Sequence, residues 1–177
     1  MSLFSDLSIL TMLHGIGLGG GAMLALFGAL VLIYARYAVQ SGAQLAPGSR
    51  LVGLLTTASA GLLWLTVLVG TYVVFPPYRV TPPEGASDLS TYPRSWLLSD
   101  PSTAWLHSFA METKEHVPWI AAMLATAAAF VVTRHGARLW VDRSAQRAVV
   151  SWLGISLALV SAAALLGTFV NKIAPVQ

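Results

Sequence analysis

Four long apolar runs alternate with short polar segments along this chain, and they predict four membrane helices. The runs cover about 9–35, 51–75, 103–133 and 149–171. Each is long enough to cross a bilayer, which takes roughly 20 helical residues. Pro76-Pro77 is expected to end the second helix, because proline lacks the N–H that continues the helical ladder. Asp100 and Pro101 are typical of a helix start and are expected to open the third. The predicted fold class is all-α, an integral membrane bundle of four helices in one domain over 1–177.

The composition supports a membrane protein and limits its chemistry. The chain is 56% hydrophobic and 10% charged, with a mean hydropathy of +0.71, whereas soluble domains carry about 25% charged residues. The basic residues lie in short loops, so the pI near 9.6 does not indicate a nucleic-acid partner. The sequence has no cysteine, which excludes disulfides, cysteine-ligated iron–sulfur clusters and covalently attached haem. Histidine, carboxylate and methionine side chains are left as ligands.

Arginines in the two short loops predict the orientation. Loop 36–50 holds two of them and loop 134–148 holds four: Arg36, Arg50, Arg134, Arg138, Arg143 and Arg147. Positively charged short loops stay on the cytoplasmic side. We therefore expect an up-down-up-down bundle in a bacterial inner membrane, with both termini and the loop 76–102 on the periplasmic side. The N-terminal MSLFSDLS lacks a basic stretch and a clear cleavage site, so the first apolar run is expected to remain as a span.

Short matches between the two halves indicate an internal repeat. The second run closes with Gly70-Thr71-Tyr72-Val73 and the fourth with Gly167-Thr168-Phe169-Val170. Runs one and three both contain Ala-Met-Leu-Ala, at 22–25 and 122–125. Two hairpins of this kind would be related by an axis along the membrane normal. The alternative is a chance match, with both glycines serving close helix packing.

Two of the four histidines are predicted to share one depth in the membrane. Arg36 follows His14 by 22 positions, and Arg138 follows His116 by the same number. At a rise of about 1.5 Å per residue, both imidazoles lie near the outer edge of the hydrocarbon. The first and third helices of such a bundle are parallel and diagonal to each other. This placement is typical of the two axial ligands of a six-coordinate haem iron.

Glycines next to His14 would clear a flat surface. The helical face of His14 passes through Gly17, Leu18, Gly21, Ala25 and Gly28. A porphyrin can lie against a helix only where side chains are missing, and Gly17 and Gly21 remove them beside the candidate ligand. The alternative is that these glycines allow a neighbouring helix to approach closely.

The segment METKEH, 111–116, places ionisable groups at the mouth of the third span. Glu112 lies one turn before His116, so both side chains share a face. Polar groups at membrane depth point to function, here the rim of a cofactor or substrate pocket. The alternative is a helix mouth solvated at the headgroups. His107 lies about 180° around the helix from His116. Its alternative roles are an outer-surface residue, a partner of a haem propionate or a ligand of a second site. His135 lies at the inner helix end, where a histidine is favourable.

With His14 and its glycines paired to His116, the chain resembles a four-helix membrane b-type cytochrome. The resemblance is architectural and covers the four spans. It implies haem b with His14 and His116 as axial ligands, and a second haem would bring in His107 or His135. It also implies electron transfer between a quinone pool and another redox centre. Such cytochromes usually act as subunits of larger membrane redox complexes.

A quinol at the outer rim would need proton acceptors. Glu112 and Glu115 are the candidates, and Tyr72, Asn171 or Lys172 could hydrogen-bond a quinone oxygen at similar depth. The subunit would then oxidise quinol or be non-catalytic itself. The aromatic, proline-rich loop 76–102 could lie on the membrane or dock a periplasmic cytochrome or a neighbouring subunit.

Two further interpretations stay open. In the first, the chain is a haem-free accessory or structural subunit of a respiratory complex, and its histidines only hydrogen-bond across helices. In the second, His14, Glu112 and His116 form a non-haem metal site with nitrogen and oxygen ligands.

Overall fold

The computed structural model describes residues 6–39 and 48–175, and these residues form helices and connecting turns without a β-strand. We number five helical segments. Helix α1 joins Asp6–Met12, Leu13–Gly20 and Gly21–Val39; α2 joins Gly48–Val69, Gly70–Val74 and Phe75–Tyr78; α3 is Pro93–Ser99; α4 joins Leu106–Met111, Glu112–His135 and Gly136–Trp140; α5 is Arg143–Ile173. Helices α1, α2, α4 and α5 are long and apolar enough to cross a membrane, as the four apolar runs predict.

The four long helices form a bundle with a small-residue interior. Neighbours in sequence contact each other, and α1 also contacts α5. The core side of α4 is a stripe of alanines, with less than a tenth of each exposed: Ala121, Ala122, Ala125, Ala128 and Ala129. Small side chains let helix backbones approach closely in membrane bundles. Between 28% and 33% of the apolar window of each long helix is buried inside the chain, so most of its apolar surface is available to lipid.

Glycines determine how α1 approaches α2. An added Cβ at Gly28 would lie 3.4 Å from Leu55 Cδ1, and one at Gly21 would lie 3.5 Å from Leu62 Cδ1. Leucine side chains of α2 therefore fill the surface that these two glycines leave open. At Gly21 and Gly28 the contacts therefore agree with the alternative interpretation, in which glycines allow a neighbouring helix to approach closely.

Three of the four long helices contain a stretch of wider, π-helical turns. These stretches are Leu13–Gly20, Gly70–Val74 and Leu106–Met111. In the second, for example, Phe75 N–H donates to the carbonyl of Gly70, five residues earlier. Such turns are rare and frequently accompany functional sites. A π-helical turn contains more residues than an α-helical turn. The face of His14 that was derived from a period of 3.6 residues therefore does not hold through Leu13–Gly20.

One expected helix boundary differs from the structure, and another agrees with it. Helix α2 does not end before Pro76-Pro77 but continues to Tyr78, because both prolines lie in the first turn after the π-helical stretch, where their missing N–H groups are tolerated. The start of α4 agrees with the prediction. The Asp100 carboxylate accepts from Ser102 N–H, and its carbonyl accepts from the N–H groups of Thr103 and Ala104, so Asp100 caps the turn that leads directly into α4.

Candidate functional site

His14 lies in the interface between α1 and α2. A Cβ added to Gly70 would stand 2.7 Å from Cε1 of the imidazole and 3.2 Å from its Nε2. The ring therefore occupies the space that the missing side chain of Gly70 leaves. The backbone of Thr66 is a hydrogen-bond partner of the ring, whereas the buried Nδ1 has no partner among the described residues. Since Nε2 takes the partner, Nδ1 is left as an unused acceptor.

Lys114 takes the equivalent position in the second hairpin. A Cβ added to Gly167 of α5 would stand 3.2 Å from Lys114 Cε, so the lysine stem packs on this glycine as His14 packs on Gly70. The two Ala-Met-Leu-Ala motifs begin eight positions after His14 and eight positions after Lys114. The repeat register thus pairs His14 with Lys114, not with His116. The structure also brings His14 and Lys114 into electrostatic interaction.

A second layer of contacts lies toward the end of α2 and the start of α4. The Tyr78 hydroxyl and His107 Nδ1 form a hydrogen bond of 2.9 Å between α2 and α4. Tyr78 is 1% exposed and packs in a small apolar cluster with Leu97 of α3. Helix α3 therefore lies over this end of the bundle. We call the end formed by both layers the polar end: His14, Gly70, Tyr78, Arg94, His107, Lys114, Glu115 and Gly167.

Three buried polar atoms at the polar end lack hydrogen-bond partners among the described residues. They are His14 Nδ1, Arg94 Nε and Glu115 Oε1. Buried polar groups are almost always paired, because leaving one unpaired costs about 1–3 kcal/mol. The three atoms come from α1, α3 and α4, and they comprise two acceptors and one donor. Arg94 and Glu115 both interact electrostatically with Tyr78, and Lys114 interacts with both Glu115 and His14.

His116 and Glu112 lie on the outside of the bundle. Both are exposed, as are Ile120 and Met123 further along the same face of α4. His116 Nδ1 bonds the carbonyl of Glu112 at 2.8 Å, which leaves Nε2 free. His116 also interacts electrostatically with Glu115. Of the two predicted proton acceptors, Glu115 belongs to the polar end and Glu112 faces outward.

The pair His14 and His116 does not fit a haem held inside this bundle. Axial ligation needs two imidazoles that approach the iron from opposite faces of one porphyrin. Here the His14 ring packs on Gly70 between α1 and α2, whereas His116 is on the exposed face of α4. The two glycines predicted to clear a surface for the porphyrin also lie in different surroundings. Gly17 is exposed and Gly21 is covered by Leu62, so they do not form one cleared surface beside His14.

The other predicted ligands have different surroundings. His107 bonds Tyr78, and His135 Nδ1 bonds the carbonyl of Val131 at the end of α4. Among residues 6–39 and 48–175, no group of three or more histidine, aspartate or glutamate side chains is placed to hold a metal ion. The set His14, Glu112 and His116 is therefore not assembled. The quinone-bonding candidates Tyr72, Asn171 and Lys172 are all exposed.

Sequence reasoning missed three residues of the polar end. The sequence patterns place Lys114 in the segment METKEH and Arg94 and Tyr78 in the loop 76–102, without predicting a role for any of the three. The signal for Lys114 was the repeat itself, because equal spacing to Ala-Met-Leu-Ala relates it to His14. Nothing in the sequence indicates that α3 brings Arg94 over the bundle.

The comparisons identify no relative from which a function could be transferred. No protein-family model, curated protein or solved structure matches this chain. The assignment of function therefore depends on the polar end itself.

Proposed function

We propose that this chain is a multi-pass subunit of a membrane oxidoreductase complex, and that its polar end binds quinol and quinone. The single observation that carries the proposal is the set of unpartnered buried atoms on His14, Arg94 and Glu115. A quinol offers two O–H donors and two oxygen acceptors on an apolar ring. It therefore supplies partners for two acceptors and one donor inside an apolar bundle.

The proposed reaction has defined roles for these side chains. Oxidation of quinol to quinone breaks two O–H bonds and releases two protons and two electrons. Glu115 and His14 Nδ1 accept the protons, and Arg94 and Lys114 stabilise negative charge on the quinol oxygens. The electrons leave one at a time to a one-electron redox centre of a neighbouring subunit or of a periplasmic cytochrome. A ligand reaches these groups by displacing part of the cover that includes α3.

The orientation is part of the proposal. Facing contacts of Gly28 with Leu55 and of His14 with Gly70 support antiparallel α1 and α2. We infer an up-down-up-down bundle in a bacterial inner membrane, with the arginine loops in the cytoplasm and both termini periplasmic. The polar end then lies at the periplasmic side, within reach of the lipid-soluble quinone pool.

Binding of quinone to the purified protein tests the proposal. The protein in lipid nanodiscs is titrated with decyl-ubiquinone and with a short-chain naphthoquinone, and empty nanodiscs correct for partition into lipid. We expect binding to weaken about ten- to a hundredfold in Arg94→Gln and Glu115→Gln, because each loses a charged hydrogen-bonding group. Glu84→Gln, on an exposed residue of the same loop region, is the matched control. Equal binding in all four proteins would contradict the proposal.

Haem b is the second candidate, and one observation favours it. The bond from His116 Nδ1 to the Glu112 carbonyl leaves Nε2 free, which is the arrangement common in metal-ligating histidines. A haem at this exposed position would lie between this chain and another subunit, which would have to supply the second ligand. A b-type pyridine haemochrome that disappears in His116→Ala but persists in His14→Ala would support it.

A further inference from the structure

At the opposite end of the bundle, a second arginine has a buried nitrogen without a hydrogen-bond partner among the described residues. The guanidinium of Arg36, at the end of α1, lies over the indole of Trp140 in α4, with Cζ 4.2 Å from the ring centroid. Its Nη1 is buried and has no hydrogen-bond partner among the described residues. Stacking on an indole holds a guanidinium through cation–π attraction and leaves its N–H groups to project sideways.

The sequence offers this cation almost no carboxylate. Between residues 31 and 60 and between 130 and 155, Asp142 is the only acidic residue, whereas six arginines lie in the same segments. Asp142 already caps α5, since its Oδ1 accepts from the N–H groups of Ser144 and Ala145. No other carboxylate lies in these segments, so an anion from outside the chain is the candidate partner of Arg36.

The surroundings of Arg36 match the headgroup level of a membrane. The residue follows the apolar part of α1, and the exposed Tyr34 precedes it by two positions. Tyrosine and tryptophan are enriched where a membrane meets water. Basic pockets between helices on the cytoplasmic side bind anionic lipid headgroups. At this level a lipid is the abundant source of phosphate, and its acyl chains can lie along the exposed apolar helices.

We propose that Arg36, held on Trp140, binds the phosphate of an anionic phospholipid at the arginine end of the bundle. The lipid would join α1 to α4 at this end and thereby stabilise the bundle. This site is separate from the polar end and does not depend on the proposed quinone chemistry. A lipid headgroup and a soluble molecule can both supply a phosphate anion, and the experiment below distinguishes the two.

Thermal unfolding of the delipidated protein in neutral detergent tests the site. Phosphatidylglycerol at roughly 100 times its Kd should raise Tm by about 5–10 °C. Phosphatidylcholine and soluble glycerol phosphate at the same concentration should raise Tm by less than half as much. The phosphatidylglycerol shift should fall by at least half in Arg36→Gln. It should persist in Arg147→Gln, which removes one exposed arginine near the start of α5.

Arg36→Lys keeps the positive charge but loses the planar fork, and it serves as a second variant should Arg36→Gln not fold. Its phosphatidylglycerol shift should lie between those of the wild type and Arg36→Gln. Four results would each overturn the proposal: no phosphatidylglycerol shift in the wild type, an equal loss in Arg147→Gln, a full shift in both Arg36 variants, or an equal shift with soluble glycerol phosphate. The last result would identify a free-anion site.

Discussion

The imidazole of His14 fills the space where a side chain of Gly70 would be, with its Cε1 2.7 Å from the position of an added Cβ. This contact joins α1 to α2 at the start of a π-helical stretch in α2. It explains why a glycine is needed at position 70 without invoking a cofactor. It also places one ring nitrogen of His14 in the protein interior without a hydrogen-bond partner among residues 6–39 and 48–175.

Substitution of Gly70 by alanine should destabilise the protein. The added methyl group overlaps the His14 ring, which is hydrogen-bonded to the backbone of Thr66, and overpacking of this kind costs about 1–3 kcal/mol. Gly61→Ala, in the same helix with open space around an added Cβ, should be neutral or slightly stabilising, since alanine is the better helix former. Thermal unfolding in detergent compares the two variants.

The equivalent substitution in the second hairpin makes the comparison sharper. In Gly167→Ala the added methyl group would meet Cε of Lys114, the far part of a flexible side chain, at 3.2 Å. We therefore expect a smaller loss of stability than in Gly70→Ala. A loss as large as that in Gly70→Ala would mean that Lys114 is held as rigidly as His14.

Removal of the Tyr78 hydroxyl should uncouple α2 from α4 at the polar end. Tyr78→Phe keeps the ring in its cluster but leaves His107 Nδ1 without its partner, at a cost of about 0.5–1.5 kcal/mol. A double-mutant cycle with His107→Ala measures the coupling. Strictly additive effects in the unfolding free energies would show that the bond contributes nothing.

The carboxyl group of Asp100 should titrate at low pH. The backbone N–H of Ser102 stabilises its charged form and holds the pKa of Asp100 below its usual range. A lowered pKa in the folded state means that the group stabilises the turn above the unfolded pKa of about 3.9, and that this stabilisation is lost as the pH falls through the lowered value. Carbon-13 NMR titration, assigned with Asp100→Asn, measures it. A pKa at or above the usual value would refute the contact.

The absence of cysteine makes topology directly measurable. Single cysteines introduced at the exposed positions Glu84 and Arg138 can be labelled in intact spheroplasts with a membrane-impermeant maleimide. The proposed orientation predicts rapid labelling of Glu84→Cys and labelling of Arg138→Cys only after the membrane is opened. The reverse pattern would place the polar end in the cytoplasm.

The four long helices could be predicted from the sequence. In a chain with 10% charged residues, an apolar run of more than 20 residues leaves few alternatives to a membrane-spanning helix. The predicted pairing of His14 with His116 depended on counting positions along ideal helices. The π-helical stretch Leu13–Gly20 lies within the count from His14 to Arg36 and changes it, whereas the count from His116 to Arg138 begins after Leu106–Met111 and runs through the α-helix Glu112–His135. A period of 3.6 residues therefore misplaces the helix faces at the polar end.

Other features of the site depend on contacts between distant segments. Arg94 is 20 positions before Lys114 and lies on the short helix α3, whose seven residues give no strong helical pattern. Its approach to Tyr78 follows from the burial of Leu97, which is 0% exposed in the same cluster. The inward position of Lys114 follows similarly from the space at Gly167. The internal repeat was the only sequence feature that pointed to it.

Photolabelling with an azido-quinone tests the central claim most directly. The protein in nanodiscs is irradiated with the probe, with and without excess unlabelled quinone, and adducts are mapped by mass spectrometry. We expect competed adducts near His14, Arg94 and Glu115, and their loss in Glu115→Gln but not in Glu84→Gln. Adducts spread over the lipid-facing surfaces of the four helices, unaffected by competition, would contradict a quinone site at the polar end.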